Sequence, residues 1–205
     1  MHIVDGALAA PVVIGGAVLA AGGLARGLRD LTLEKIPAAG MLSASFFVAS
    51  LIHVPIGPSS VHLILNGLAG LVLGWAAFPA LFVGLLLQAV FFGFGGLTVL
   101  GVNTLDIALP AVIVHYICRH GIATGSPRIA AIWGGIGGAL AIALTAACVA
   151  LALALSGAAF IPAAKLVLLA HVPVMAIEGL LSAAAVYLAI QVKPDLFLSL
   201  QGPAR

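Results

Sequence analysis

Between Lys35 and Asp106 the chain reads IPAAGMLSASFFVASLIHVPIGPSSVHLILNGLAGLVLGWAAFPALFVGLLLQAVFFGFGGLTVLGVNTL, residues 36–105, seventy positions without an Asp, Glu, Lys or Arg. Its length allows three membrane crossings of about 20 residues each. Pro and Gly punctuate it where turns between them are needed. The whole chain agrees: 63% of its residues are apolar and 7% are charged, against about 25% charged in a soluble domain. The ten-residue apolar–polar alternation of a membrane β-barrel is missing. The expected fold is therefore an all-α integral membrane protein, a single transmembrane domain over residues 1–205.

Outward from this stretch the remaining helices follow from apolar runs between polar breaks. The first helix is expected from about Ala9 to Leu24, followed by the most charged segment, Arg26 to Lys35. Inside the uncharged stretch, helices are expected at about Pro37–His53, Val61–Trp75 and Pro79–Phe92. Val54–Ser60 and Gly93–Thr104 read as loops, with Ser59 or Ser60 capping the third helix. Beyond it come helices at about Asp106–Arg119, Ile129–Leu155 and Pro162–Val192. Gly134 and Gly138 offer small faces for close packing, and Pro173 predicts a kink. That makes a seven-transmembrane-helix bundle.

Charge sets the orientation. The first basic residue, Arg26, follows the first apolar run and Asp5 precedes it. A signal peptide would show the reverse order, so an uncleaved, translocated N-terminus is expected. Arg26, Arg29, Lys35, Arg119, Arg128, Lys193 and Arg205 then fall inside and only Lys165 outside, which satisfies the positive-inside rule. The C-terminus is expected in the cytoplasm. The net charge of +2 gives no reason to expect nucleic acid. Cys118 and Cys148 lie in apolar runs and read as small buried hydrophobes.

This topology gathers His2, His53, His62, Ser59, Ser60, Asn103 and Thr104 at an outer mouth almost free of charge. A metal held by the Met1 amine also reaches the deprotonated backbone nitrogen of His2 and its imidazole Nδ1, closing a five- and a six-membered ring. His62 is the choice for a fourth nitrogen. Taken singly, His2 reads as a tail residue and His62 equally as a polar cap or a ligand; together on one uncharged face they point to a site. Four nitrogens in a plane suit Ni(II) or Cu(II), and Co(II) accepts the same set. Mg²⁺ and Ca²⁺ prefer oxygen. His53 is a candidate transient ligand on the way in. Asn103, Thr104, Ser59 and Ser60 are candidates to orient the imidazoles, and Asp5 to neutralise the cation or pin the N-terminal segment. Glu178, a carboxyl within an apolar helix, reads as a packing or subunit-coupling group.

The opening Met1-His2-Ile3-Val4-Asp5-Gly6 resembles the start of the cobalt and nickel substrate-binding subunits of energy-coupling factor (ECF) transporters, the CbiM and NikM family. Phe47–Leu63 is similar to that family's second signature and Gly95–Thr104 to its third. His171-Val172-Pro173 with Glu178-Gly179 is similar to its last-helix pattern. The resemblance implies a seven-helix subunit of the bacterial cytoplasmic (inner) membrane whose N-terminus inserts into its own outer mouth. Met1, His2 and the histidine matching His62 would hold the transported Co(II) or Ni(II), with no permanent cofactor. It further implies a CbiQ-type coupling subunit, CbiO-type ATPases and a CbiN-type small membrane subunit, with cobalt feeding cobalamin synthesis. The wording Pro58-Ser59-Ser60-Val61-His62 is closer to the cobalt branch, and nickel is the alternative.

The chain contains no GxxxxGK[ST] phosphate loop, so it is expected to be a transport subunit rather than an enzyme, with ATP hydrolysis left to partners. A standalone metal carrier would need ligands along its whole path, but the polar groups gather at one mouth. A membrane metalloprotease would need HExxH, which is absent. A ligand-free scaffold would bind no metal.

Overall fold

The computed structural model describes residues 2–123 and 126–200, and the side chains of Ile56 and 198–200 are left aside. Among the described residues there are eight α-helices and one small hairpin. The helices are α1 (Ala10–Asp30), α2 (Ile36–Ala49), α3 (Asn66–Leu73), α4 (Ala77–Phe92), α5 (Leu100–Ile122), α6 (Pro127–Ser156), α7 (Ile161–Ala170) and α8 (Val172–Val192). The hairpin pairs β1 (Val54–Ile56) with β2 (Ser59–Val61), antiparallel, Pro55 opposite Ser60. The protein is all-α in its membrane-spanning part. Among the described residues five stretches are long and apolar enough to cross a bilayer: Ala10–Asp30, Asn66–Phe92, Leu100–Ile122, Pro127–Ser156 and Ala158–Val192. Large apolar side chains such as Leu19, Leu151, Leu155, Leu180 and Leu188 stand exposed on the outside, the pattern of a surface that faces lipid.

Several boundaries differ from those read from sequence. The helix expected from Val61 begins at Asn66, because Ser59–Val61 are spent on the hairpin. Pro55 is tolerated there since both strands of a two-stranded ribbon are edges. The first helix continues to Asp30, and Arg26 pairs with Asp30 at 2.6 Å one turn on. The second stops at Ala49. The fifth starts at Leu100, so Asn103 and Thr104 are helical rather than loop residues. Gly101 suggested a loop, but its missing side chain lets α5 approach α1: a Cβ there would lie 2.6 Å from the Cα of Ala17. The last helix is divided at His171. Pro173 has no N–H to donate back one turn.

Contacts give the running direction of each helix. Asn66 bonds the Ile107 carbonyl, a Cβ on Gly70 would meet Ala111, and Gly74 faces His115. So α3 and α5 run parallel. At Gly74 (φ 60°) the chain turns back, and α4 returns alongside α2, with Gly84 against Phe46 and Gln88 against Ser50. Asn66–Phe92 is thus a bent pair rather than one rod. At the centre, Gly138 of α6 touches both neighbours: a Cβ would fall 2.7 Å from the Glu178 carbonyl, and one on Gly67 would fall 2.7 Å from Gly138 Cα. Gly134 meets Val186 in the same crossing. This close approach brings α8 against the segment joining β2 to α3.

Candidate metal centre

The N-terminal segment enters the bundle instead of trailing from it. His2 is 3% exposed and Ile3 fully buried. The Asn103 side chain reads the Ile3 backbone from both sides, accepting from its N–H at 2.9 Å and donating to its carbonyl at 3.1 Å. Val4 N–H donates to the Pro58 carbonyl beside the hairpin at 3.1 Å, and Asp5 N–H to the Gly95 carbonyl at 3.0 Å. Thr98 donates to the Asp5 carboxylate at 2.5 Å. Gly96 (φ 138°) makes room for that carboxylate, since a Cβ there would land on it. Asp5 and Asn103 therefore pin the segment.

This docking sets the His2 imidazole against that of His62. Their rings stack with centroids 4.6 Å apart, and His2 Nδ1 faces His62 Nε2 at 3.2 Å. The hydrogen positions follow from the outer partners. His62 Nδ1 lies 2.7 Å from the Leu63 carbonyl, which only accepts, so Nδ1 carries the proton and Nε2 a lone pair. For His2 the chain is longer. The Ser50 hydroxyl donates to the backbone carbonyls of Phe46 and Phe47, so it accepts from the Gln88 amide. That turns Gln88 Oε1 toward His2 Nε2, at 2.6 Å. His2 Nε2 must then be the donor, leaving a lone pair on Nδ1. Two lone pairs thus face each other across 3.2 Å, an arrangement that suits a cation between them. Two nitrogens bound at right angles to one ion, each about 2.0 Å from it, stand about 2.8 Å apart, close to what is found.

Protons do not fill this role near neutrality. Burial pushes the His2 imidazole down to about 4, against its hydrogen bond to Gln88, with His53 adding a small push downward. Burial pushes His62 down to about 4 as well, against the Leu63 carbonyl. Both rings are neutral at pH 7, the state a metal needs.

Beside the pair lies a cavity of about 130 Å³ whose walls include His2, His53, Ser59, Ser60 and Phe94. His53 is half-buried, its ring edge on Phe94 with centroids 4.4 Å apart. Ser59 and Ser60 are buried, and their hydroxyls have no hydrogen-bond partner among the described residues. Thr104 turns away and bonds the Leu100 carbonyl of its own helix at 2.7 Å. His171 is fully buried, its Nδ1 on the Val167 carbonyl at 2.6 Å. Met1, whose amine was expected on the metal, lies outside the described residues. Among the described residues no three His, Cys, Asp or Glu side chains converge on a metal position, so the two imidazoles are the side-chain donors on offer. Sequence reading missed Gln88 and Ser50. The available signal was a lone amide in the apolar run Ala77–Phe92, since a buried amide must find partners.

Residues 2–196 match the family described as the cobalt uptake substrate-specific transmembrane region, CbiM. The chain belongs to the CbiM family. It is 42% identical over 198 residues, 96% of each chain, to a putative metal transport protein of Haemophilus influenzae. It is 40% identical over 106 residues to the fused nickel transport protein NikMN of Rhodobacter capsulatus, covering 49% of this chain and 30% of that one. A crystal structure of a transition metal transporter superposes with a TM-score of 0.71 at 25% identity, over 96% of this chain and 93% of that one. CbiM proteins are multi-pass membrane components of metal uptake, and their substrate is cobalt or nickel.

Proposed function

We propose that this CbiM protein captures Co(II) at the outer face of the bacterial cytoplasmic membrane as the substrate-specific subunit of an ECF transporter. The observation that carries the reading is the pair of buried imidazoles with both lone pairs turned inward. His2 and His62 each give one nitrogen. The Met1 amine and the His2 amide nitrogen complete a four-nitrogen set. His53, Ser59 and Ser60 line the approach and receive the ion as it sheds water. The helices make seven passes, with the α7–α8 pair as the last. Six of the seven described basic residues stand at the end away from His2 and His62, which supports an outside N-terminus and a cytoplasmic C-terminus.

The subunit holds and releases the ion and hydrolyses nothing. CbiQ-type, CbiO-type and CbiN-type partners supply coupling, ATP hydrolysis and an accessory membrane subunit, and the cobalt feeds cobalamin synthesis. Nickel is the second reading, favoured by the named nickel protein among the relatives and by a donor set that suits both ions.

The test is calorimetric binding of Co(II) and Ni(II) to the purified protein in detergent, native beside a version with one residue added before Met1. The expected result is tight binding by the native chain and its loss on extension. Equal binding by both would remove the amine and amide from the site. No binding of either metal by the native chain would overturn the reading.

A further inference from the structure

Glu178 lies in α8, fully buried, more than one hundred positions from His62. Its Oε1 accepts two successive backbone N–H groups, from Ile64 at 2.5 Å and from Leu65 at 2.9 Å. The two N–H groups converge because Leu65 is left-handed, with φ 56°, as happens where successive amides form an anion-holding nest. The other oxygen, Oε2, has no hydrogen-bond partner among the described residues, so the carboxyl works here through one atom.

The Ile64 N–H belongs to the same peptide group as the Leu63 carbonyl, and that carbonyl accepts from His62 Nδ1 at 2.7 Å. One rigid, planar unit therefore has a carboxylate at its N–H end and the imidazole at its oxygen end. We propose that Glu178 is a positioning residue for His62 and acts through this single peptide group. It fixes the peptide plane, the plane fixes which His62 nitrogen carries the proton, and the other nitrogen is thereby turned to His2. The carboxylate also polarises the peptide, as linked hydrogen bonds do, making the carbonyl a stronger acceptor and His62 a better donor to metal. Carboxylates commonly do this for metal-bound imidazoles by direct contact; here a backbone amide stands between. The assignment rests on His62 being a metal ligand.

The test compares Co(II) affinity, the cobalt absorption spectrum and the ¹⁵N spectrum of His62 in native protein, Glu178→Leu and Glu178→Gln. Glu178→Leu keeps the volume and removes the acceptor. It is expected to bind at least about tenfold more weakly, with a shifted cobalt spectrum and mixed His62 tautomers without metal. Glu178→Gln keeps one oxygen in the nest and is expected to recover most of the affinity. Its remaining loss is about threefold, as neutral acceptors bond less strongly than charged ones. A folded Glu178→Leu with native affinity and native His62 tautomer overturns the proposal. If Glu178→Leu does not fold, Glu178→Gln decides: affinity and a His62 Nδ1 resonance both identical to native overturn it. Absence of binding by the native protein is a different outcome, since it removes the metal-capture reading itself.

Discussion

The two imidazoles at the mouth are oriented by opposite means. His62 is steered from next door, by the carbonyl of Leu63. His2 is steered from afar, through Gln88 on α4 and Ser50 after α2, to carbonyls of Phe46 and Phe47. The difference follows from where each residue sits. His62 follows directly on β2, in the short segment that leads to α3. His2 lies in the irregular segment ahead of α1, where tertiary contacts supply its orientation. Orienting His2 costs the fold a buried polar network, whereas His62 uses backbone already in place between β2 and α3.

The comparison can be broken most severely by removing a donor. His62→Ala is expected to lower Co(II) and Ni(II) affinity by more than about a hundredfold, since imidazole is a principal ligand type for such ions, while circular dichroism keeps its helical signal. If affinity stays within tenfold, the facing lone pairs are not the site.

Next in size is Gln88→Leu, which strips His2 of its outer partner and leaves the Ser50 hydroxyl without the amide that donates to it. Metal affinity should fall by about 10- to 100-fold, and thermal stability without metal should fall by about 1–3 kcal/mol for the donor left unpaired. Loss of stability without loss of affinity would reduce Gln88 to packing.

A third effect concerns pH. Both imidazoles have folded values near 4, below the ordinary 6.5 of the unfolded chain. The folded state therefore binds fewer protons than the unfolded one between these values. Metal-free protein should be most stable above pH 6.5 and lose stability as pH falls from 6.5 toward 4, read as the melting temperature in detergent. His62→Gln should flatten this slope, because one contributing group is gone. An unchanged slope would place the titration elsewhere.

Smallest of all, Thr104→Val should leave metal affinity within about twofold, since its hydroxyl satisfies only its own helix and side-chain-to-backbone bonds of this kind contribute little net stability. A large loss would return Thr104 to the site.

The same contrast explains how much of the molecule was legible in the sequence. The membrane class was plain in the uncharged residues 36–105, because lipid demands apolar surface whatever the tertiary contacts. Boundaries were misread where a residue had two uses. Gly101 is a loop signal by propensity and a packing surface in α5, and Pro55 is a helix breaker that also fits an edge strand. That His2 and His62 would come together was legible, because topology puts both at one uncharged mouth. Gln88 was not, for its meaning depends on a partner 86 positions away. Glu178 was noticed as an expensive carboxyl, but its contacts with Ile64 and Leu65 depend on Gly138 letting α8 come close. Thr104 follows Asn103 but points elsewhere, since successive helical residues point about 100° apart.

The docking of the N-terminal segment carries a consequence for how the protein is made. His2 is translated well before its partners: its seat needs Gln88, and Ile3 needs Asn103. The Ala9 N–H is met by the hydroxyl of Ser156, 147 positions on. A ribosome emits these partners seconds after the first residues have left it, at about 5–20 residues per second. This segment is therefore among the last parts to reach its final place, and the site is finished only when most of the bundle has been synthesised.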